Sequence, residues 1–273
     1  MNYARFISIR DIARRLGLSA VASVAARARA VWLCSRYNRN PANSLTVTVG
    51  GSRAVFSIAS ALEYVALQNT YEARLIGSFV LPSLRSGDCF WDVGANIGFY
   101  TVFAAQRVGP SGVVVAIEPE PRARLRLEAN LALNSCSNVV VLDCALGCIE
   151  ANGTLHADAE PASGAHSLLQ KTSLGTGAVA VRILPGYRLL DLHQLRPPSI
   201  VKIDVEGAEE DAIRGLQPLL SAPTCRALLC EVHFALLSAS GNSGSPARIL
   251  QLLTDCGFKK ISWLDRSHFF ASR

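Results

Sequence analysis

From residue 88 onward, short uninterrupted apolar runs alternate with longer segments whose apolar positions recur at helical spacing. Cys89–Val93, Val113–Ile117, Asn138–Leu142, Ile200–Val205 and Ala227–Val232 read as strands. Phe99–Val108, Pro121–Asn134, Ala208–Leu220 and Pro246–Cys256 read as helices. Strands that are apolar on both faces are covered on both sides. The pattern therefore predicts an α/β fold with a mainly parallel sheet and right-handed crossovers. Lys259–Leu264 and His268–Ala271 predict two closing strands, and residues 147–185 interrupt the rhythm with short strands and turns. Upstream, residues 4–36 predict one or two helices with a break at Gly17-Leu18-Ser19. Leu45–Val49 and Arg53–Ser57 flank Gly50-Gly51-Ser52, which signals a hairpin. Residues 59–80 predict helix ending at Leu81-Pro82. The resulting division is a helical extension over 1–40, a hairpin and helices over 41–87, and the main α/β domain over 88–273.

Half of the 273 residues are apolar and 18% are charged, enough to bury a core and to exclude a disordered chain. No window approaches the ~18 consecutive apolar residues of a membrane span. The net charge of +6 suggests an anionic partner until it is located. Residues 1–40 hold eight arginines against Asp11, whereas the remaining chain holds 19 bases and 20 acids. The body is neutral, which disfavours nucleic acid. The Arg- and Ala-rich arm fits docking on an acidic membrane surface or on a partner. Eight cysteines without a C-x-x-C pair read as reduced, buried apolar residues, with no metal-ligand spacing. With no signal-peptide pattern at the start, a cytoplasmic protein fits best.

The most informative segment is Trp91-Asp92-Val93-Gly94-Ala95-Asn96-Ile97-Gly98-Phe99-Tyr100-Thr101. A strand runs through a glycine turn into a helix, where the backbone approaches a ligand closely and free N–H groups point outward. A dinucleotide site requires G-x-G-x-x-G. This loop reads G-A-N-I-G and follows Asp92, which suits a cation better than a pyrophosphate. That weighs against a nicotinamide oxidoreductase. S-adenosylmethionine, with an ammonium, a sulfonium and a ribose but no phosphate, meets the requirement. Glu118 ends the second strand 24 residues after Gly94 and can accept hydrogen bonds from the ribose hydroxyls. Asp143-Cys144-Ala145 ends the third strand, where an acid can meet the adenine amino group.

These segments resemble the FkbM family of S-adenosylmethionine-dependent methyltransferases. The likeness is carried by the loop above, Ala116-Ile117-Glu118-Pro119, Asp143-Cys144-Ala145-Leu146-Gly147 and, most specifically, Val201-Lys202-Ile203-Asp204-Val205-Glu206-Gly207-Ala208-Glu209. It spans roughly residues 70–260 and leaves the arm outside. The resemblance implies a Rossmann-like class I methyltransferase fold with seven strands. It also implies O-methylation of a sugar, glycan or natural-product hydroxyl. The resemblance places the family's cofactor motif on Asp92, Gly94, Asn96 and Gly98, with Glu118 as the ribose acid; Ala95, Thr101, Pro119, Asp143, Cys144 and Ala145 complete the candidate cofactor residues. Tyr71-Glu72 looks like a further family feature without an assigned mechanism. The competing readings are N-methylation, a nucleic-acid acceptor and a non-catalytic binding module.

Lys202, Asp204 and Glu206 alternate with apolar residues and in a strand share one face. A buried Lys202 requires an acidic partner. Glu231 and His233 repeat the i, i+2 relation in the next strand. The expected chemistry is an in-line displacement at the sulfonium, aided by a base. His233 and Asp204 are the candidate bases, with Glu206 and Lys202 beside them and no metal assigned.

Overall fold

A computed structural model describes residues 19–68, 70–157 and 177–273. Chain order begins with α1 (Ser19–Arg39), the hairpin β1 (Ser44–Val49) and β2 (Ser52–Ser57), then α2 (Ala61–Leu67) and α3 (Thr70–Leu75). α3 continues through a π-helical turn, Ile76–Val80, into Leu81–Ser83. Next come β3 (Cys89–Val93), α4 (Phe99–Val108), β4 (Val113–Ile117), α5 (Pro121–Leu133) and β5 (Val139–Leu142). β6 (Cys144–Leu146), β7 (Ala151–Ala157) and β8 (Gly177–Leu184) form a separate three-stranded sheet. The chain closes with α6 (Gly186–His193), β9 (Ile200–Ile203), α7 (Glu209–Ser221), β10 (Ala227–Glu231), α8 (Phe234–Ala239), α9 (Ser245–Asp255), β11 (Lys260–Trp263) and β12 (His268–Ser272).

The central sheet has the order β11-β12-β10-β9-β3-β4-β5. β10, β9, β3, β4 and β5 are mutually parallel, and β12 runs antiparallel to both β10 and β11. The seven-stranded, mainly parallel α/β architecture is the expected one. All five residues of β3 are buried, and the period of two sends them into two cores. Trp91 and Val93 pack with Ile213 and Leu216 of α7. Phe90 faces the other way, with Phe103 of α4 and Phe56 of the hairpin. Asp92 follows the Phe90 side and pairs in register with Lys202 of β9.

Several boundaries differ from expectation. The predicted helix over 59–80 is interrupted after Leu67, where Gln68 caps α2, and resumes through Pro82, which sits in the first turn of Leu81–Ser83, where no N–H is required. α6 and α8 were not anticipated; at eight and six residues they offer barely two turns of periodicity. The anticipated break at Gly17 lies outside the described residues. α1 itself docks on the body, with Leu33 buried and Tyr37 against Tyr64 at 5.4 Å between ring centres. No helix among the described residues is long and apolar enough to cross a membrane. All eight cysteines are free; Cys34 and Cys136 are half-buried and Cys148 is exposed, contrary to a uniformly buried set.

Candidate functional site

At the end of β3 the chain turns through Gly94 and Gly98 into α4. Gly94 has φ +76°, and a Cβ there would stand 1.8 Å from the Asp204 carbonyl oxygen. Only glycine lets this loop pass the loop after β9. Gly98 begins α4 with φ +87°, and its Cβ would meet Leu127 Cδ1 at 2.4 Å. Between them the backbone N–H of Asn96 donates to Glu118 Oε2 at 2.7 Å. Glu118, directly after β4, also accepts from the Glu120 N–H through Oε1 at 2.9 Å. Burial pushes the Glu118 carboxyl up to about 7 against the pull of these two N–H donors.

A cleft of about 660 Å³ opens at these strand ends. Of the expected cofactor residues, Gly94, Asn96, Glu118, Pro119, Cys144 and Ala145 line it, and Asp204 and Glu206 line it as well. The others stand elsewhere. Asp92 is fully buried behind the loop, accepting from Thr101 Oγ1 at 2.5 Å, so both residues brace the loop rather than face the cleft. Ala95 and Gly98 shape the turn without lining the cleft. Asp143 is exposed and outside the lining, because the chain kinks between β5 and β6 and carries Cys144 and Ala145 inward instead.

The second edge differs from the expected strand. β9 stops at Ile203, so Lys202, Asp204 and Glu206 do not share a strand face. Asp204 begins a loop, and Glu206 takes a left-handed backbone with φ +52°. His233 likewise lies past β10, directly before α8. The loop nevertheless gathers the groups. Lys202 Nζ donates to the Gly94 carbonyl at 2.7 Å and lies 3.3 Å from Asp204 Oδ2 and 3.5 Å from Asp92 Oδ1. Burial alone would discharge this lysine, but the negative charges of Asp204, Asp92 and Glu72 hold its pKa above the ordinary value. Burial raises the Asp92 carboxyl, and Lys202 and Thr101 oppose that rise.

His233 places Nε2 3.9 Å from Asp204 Oδ1 and 3.8 Å from Glu206 Oε1. Its Nδ1 lies 2.6 Å from Oε1 of Glu209, which is completely buried and also accepts from the Gly207 N–H at 2.8 Å. Burial lowers the imidazole pKa, but the Glu209 hydrogen bond and the Asp204 and Glu206 charges outweigh it, leaving His233 at about 9. A pKa raised this far favours the protonated ring at neutral pH, and His233 stands beside Asp204, the other candidate base. Burial pushes Glu206 up to about 8, with His233 pulling against it.

Sequence reasoning passed over Glu209, although it stands on the buried face of α7 with Ala212, Ile213 and Leu216. An acid on an apolar helix face requires a partner, and that was the available signal. Glu72 was noticed without a role. Its Oε2 accepts from Tyr100 OH at 2.6 Å in a second recess of about 180 Å³, shared with Lys202, Asp204, Glu231 and His268. Asp204 thus lines both recesses. His268 Nε2 pairs with Glu231 Oε2 at 3.2 Å and Nδ1 with Asp265 Oδ2 at 3.1 Å.

Residues 92–260 match the family described as Methyltransferase FkbM domain. The chain is 24% identical over 225 residues to the hexuronic acid methyltransferase AglP of Haloferax volcanii, covering 81% of this chain and 85% of AglP. It is 29% identical over 210 residues to the 31-O-demethyl-FK506 methyltransferase FkbM of Streptomyces tacrolimicus, covering 67% and 76% respectively. Among solved structures, a methyltransferase FkbM from Methylobacillus flagellatus KT is similar with a TM-score of 0.45 and 18% identity. That match covers 70% of this chain, which spans 45% of the solved one.

Proposed function

This chain belongs to the FkbM methyltransferase family, and on that premise we propose that it methylates a hydroxyl of a sugar, glycan or natural-product acceptor from S-adenosylmethionine. The observation that carries the cofactor reading is the cleft wall built by Gly94, Asn96 and Glu118. It offers close backbone approach beside a carboxylate, and it suits a ligand with ribose hydroxyls and cationic groups but no phosphate. Asp204 adds a carboxylate to the same cleft, favouring the sulfonium and ammonium.

The acceptor hydroxyl enters the second recess and meets the methyl group at Asp204, the residue common to both spaces. Holding oxygen, carbon and sulfur in line accounts for most of the acceleration expected of such a site. Asp204, common to both recesses, accepts the hydroxyl proton, and the raised pKa of His233 makes it the less ready base at neutral pH. The O–CH₃ bond forms as the S–CH₃ bond breaks, its electron pair passing to sulfur. The relatives AglP and FkbM, whose names specify a hexuronic acid and 31-O-demethyl-FK506, support this acceptor class.

The test is incubation of the purified chain with methyl-labelled S-adenosylmethionine and fractionated glycans and small metabolites, read by mass spectrometry. The expected result is S-adenosylhomocysteine together with an acceptor carrying the label on oxygen. Label on nitrogen or on nucleic acid overturns the acceptor assignment. Absence of turnover with every fraction, by chain shown to bind the cofactor, contradicts catalysis.

A further inference from the structure

The loop after β9 and the turn after β10 bring three metal-competent side chains to one point. One ligand atom each from Asp204, Glu206 and His233 lies within 4.8 Å of the other two. Bonds of about 2.0–2.2 Å to a divalent ion place neighbouring ligands about 3 Å apart, so the observed separations, 3.8–3.9 Å from His233 and within 4.8 Å overall, need to close by about 1–2 Å. We propose that Asp204, Glu206 and His233 hold a divalent metal ion where the cofactor cleft meets the second recess, with open positions that receive the acceptor hydroxyl.

Three observations outside the trio point to a cation. The first is the support of the histidine. Glu209, from α7, binds Nδ1, so Nε2 faces both carboxylates, and an ion bound there displaces the Nε2 proton. A carboxylate behind a ligating imidazole, fixing its tautomer and orientation, is the usual outer shell of a metal-bound histidine. The second is a buried carboxylate oxygen left without a hydrogen bond behind the histidine. Glu209 Oε2 is buried without a hydrogen-bond partner among the described residues. The third is access. Asp204 and Glu206 line the open cleft, so an ion has an entry path and room for further ligands.

One imidazole and two carboxylates lie between the oxygen preference of Mg²⁺ and the nitrogen preference of Zn²⁺, a set that suits Mn²⁺. What the ion would do rests on the methyltransferase reading. An acceptor hydroxyl bound to it loses its proton to water instead of to Asp204, and the oxygen lone pair then attacks the methyl carbon. The S–CH₃ bond breaks with its electrons on sulfur, and neutral S-adenosylhomocysteine leaves. Whether the ion binds is independent of that chemistry.

The test uses full-length protein stripped with a chelator and titrated with Mn²⁺, free Mn²⁺ being read by electron paramagnetic resonance. One Mn²⁺ per chain is expected. Glu206→Gln, His233→Gln and the outer-shell variant Glu209→Gln are each expected to weaken binding at least tenfold. Glu150→Gln, on an exposed pair with Arg182 and Arg188, is expected to leave binding unchanged. Calorimetric binding of S-adenosylmethionine by His233→Gln shows that this variant is folded. The proposal is overturned if the wild-type chain binds the cofactor but neither Mn²⁺, Mg²⁺ nor Zn²⁺, or if the three variants bind Mn²⁺ as the wild type does. Stoichiometric Mn²⁺ at this trio without cofactor binding would instead overturn the reading of the cleft.

Discussion

Lys202→Met isolates the interaction that holds the glycine loop to the sheet. The substitution preserves the aliphatic stem and removes the ammonium that faces Asp92, a residue with 0% exposure. It also removes the 2.7 Å hydrogen bond to the Gly94 carbonyl. Breaking one side of a buried ion pair costs about 3–5 kcal/mol, because the remaining charge stays desolvated and unpaired. At about 2–4 °C per kcal/mol, the melting temperature is expected to fall by roughly 6–20 °C. The effect has a defined pH dependence. Asp92 ionises near pH 4 in the unfolded chain. Burial raises its folded pKa, and deleting Lys202 removes the largest opposing cause. The variant's folded state therefore keeps the proton to higher pH, and its stability declines as pH rises from about 4 through that raised value. The gap to wild type should be smaller at pH 5 than at pH 8 in urea melts. Asp92→Asn added to Lys202→Met keeps an acceptor for Thr101 while removing the charge, and should restore at least half of the loss. The reasoning fails if Lys202→Met unfolds with wild-type stability at pH 8, or if the double variant is no better than the single one.

Other consequences follow from the same geometry. Gly94→Ala forces a Cβ onto the Asp204 carbonyl at φ +76°, where the backbone conformation alone costs about 1–2 kcal/mol; urea melts should show more than that loss, and calorimetry at least a tenfold weaker cofactor affinity. His268, at about 10 between Asp265 and Glu231, contributes stability that is fully present below about pH 6.5 and lost as pH rises through 10. His268→Gln should therefore cost most near pH 6 and little above pH 10 in denaturant melts. The Glu118 carboxyl, at about 7, accepts from ribose hydroxyls best when ionised. Affinity for S-adenosylmethionine should rise from pH 6 to pH 8 in the wild type and rise less in Glu118→Gln by calorimetry, the remaining slope coming from Glu206 at about 8 in the same cleft.

The elements that carry the cofactor cleft were legible because each is a local signal. Five fully buried residues in β3, a glycine loop at its end and an acid after β4 are read directly from adjacent positions. The expected pairing of Lys202 with acids also followed, since a lysine in an apolar strand has no other way to remain charged. What adjacency hides is direction. Asp92 was read as facing a ligand, yet the period of two in β3 turns it toward Lys202 and Thr101. The alternation from Lys202 to Glu206 imitates a strand, but Gly207 and the left-handed Glu206 end it early. The contact between Glu209 and His233 joins the start of α7 to the turn before α8, and no spacing rule links residues 24 positions apart on different elements. α6 and α8 were missed because six to eight residues hold too few turns for periodicity to stand out from a loop.

The central claim is that the cleft walled by Gly94, Asn96 and Glu118 binds S-adenosylmethionine. Isothermal titration of the full chain tests it most directly. The account predicts one molecule bound per chain, with affinity at least tenfold weaker in a folded Glu118→Ala variant. No binding by folded wild-type protein, or equal affinity in the variant, would contradict it.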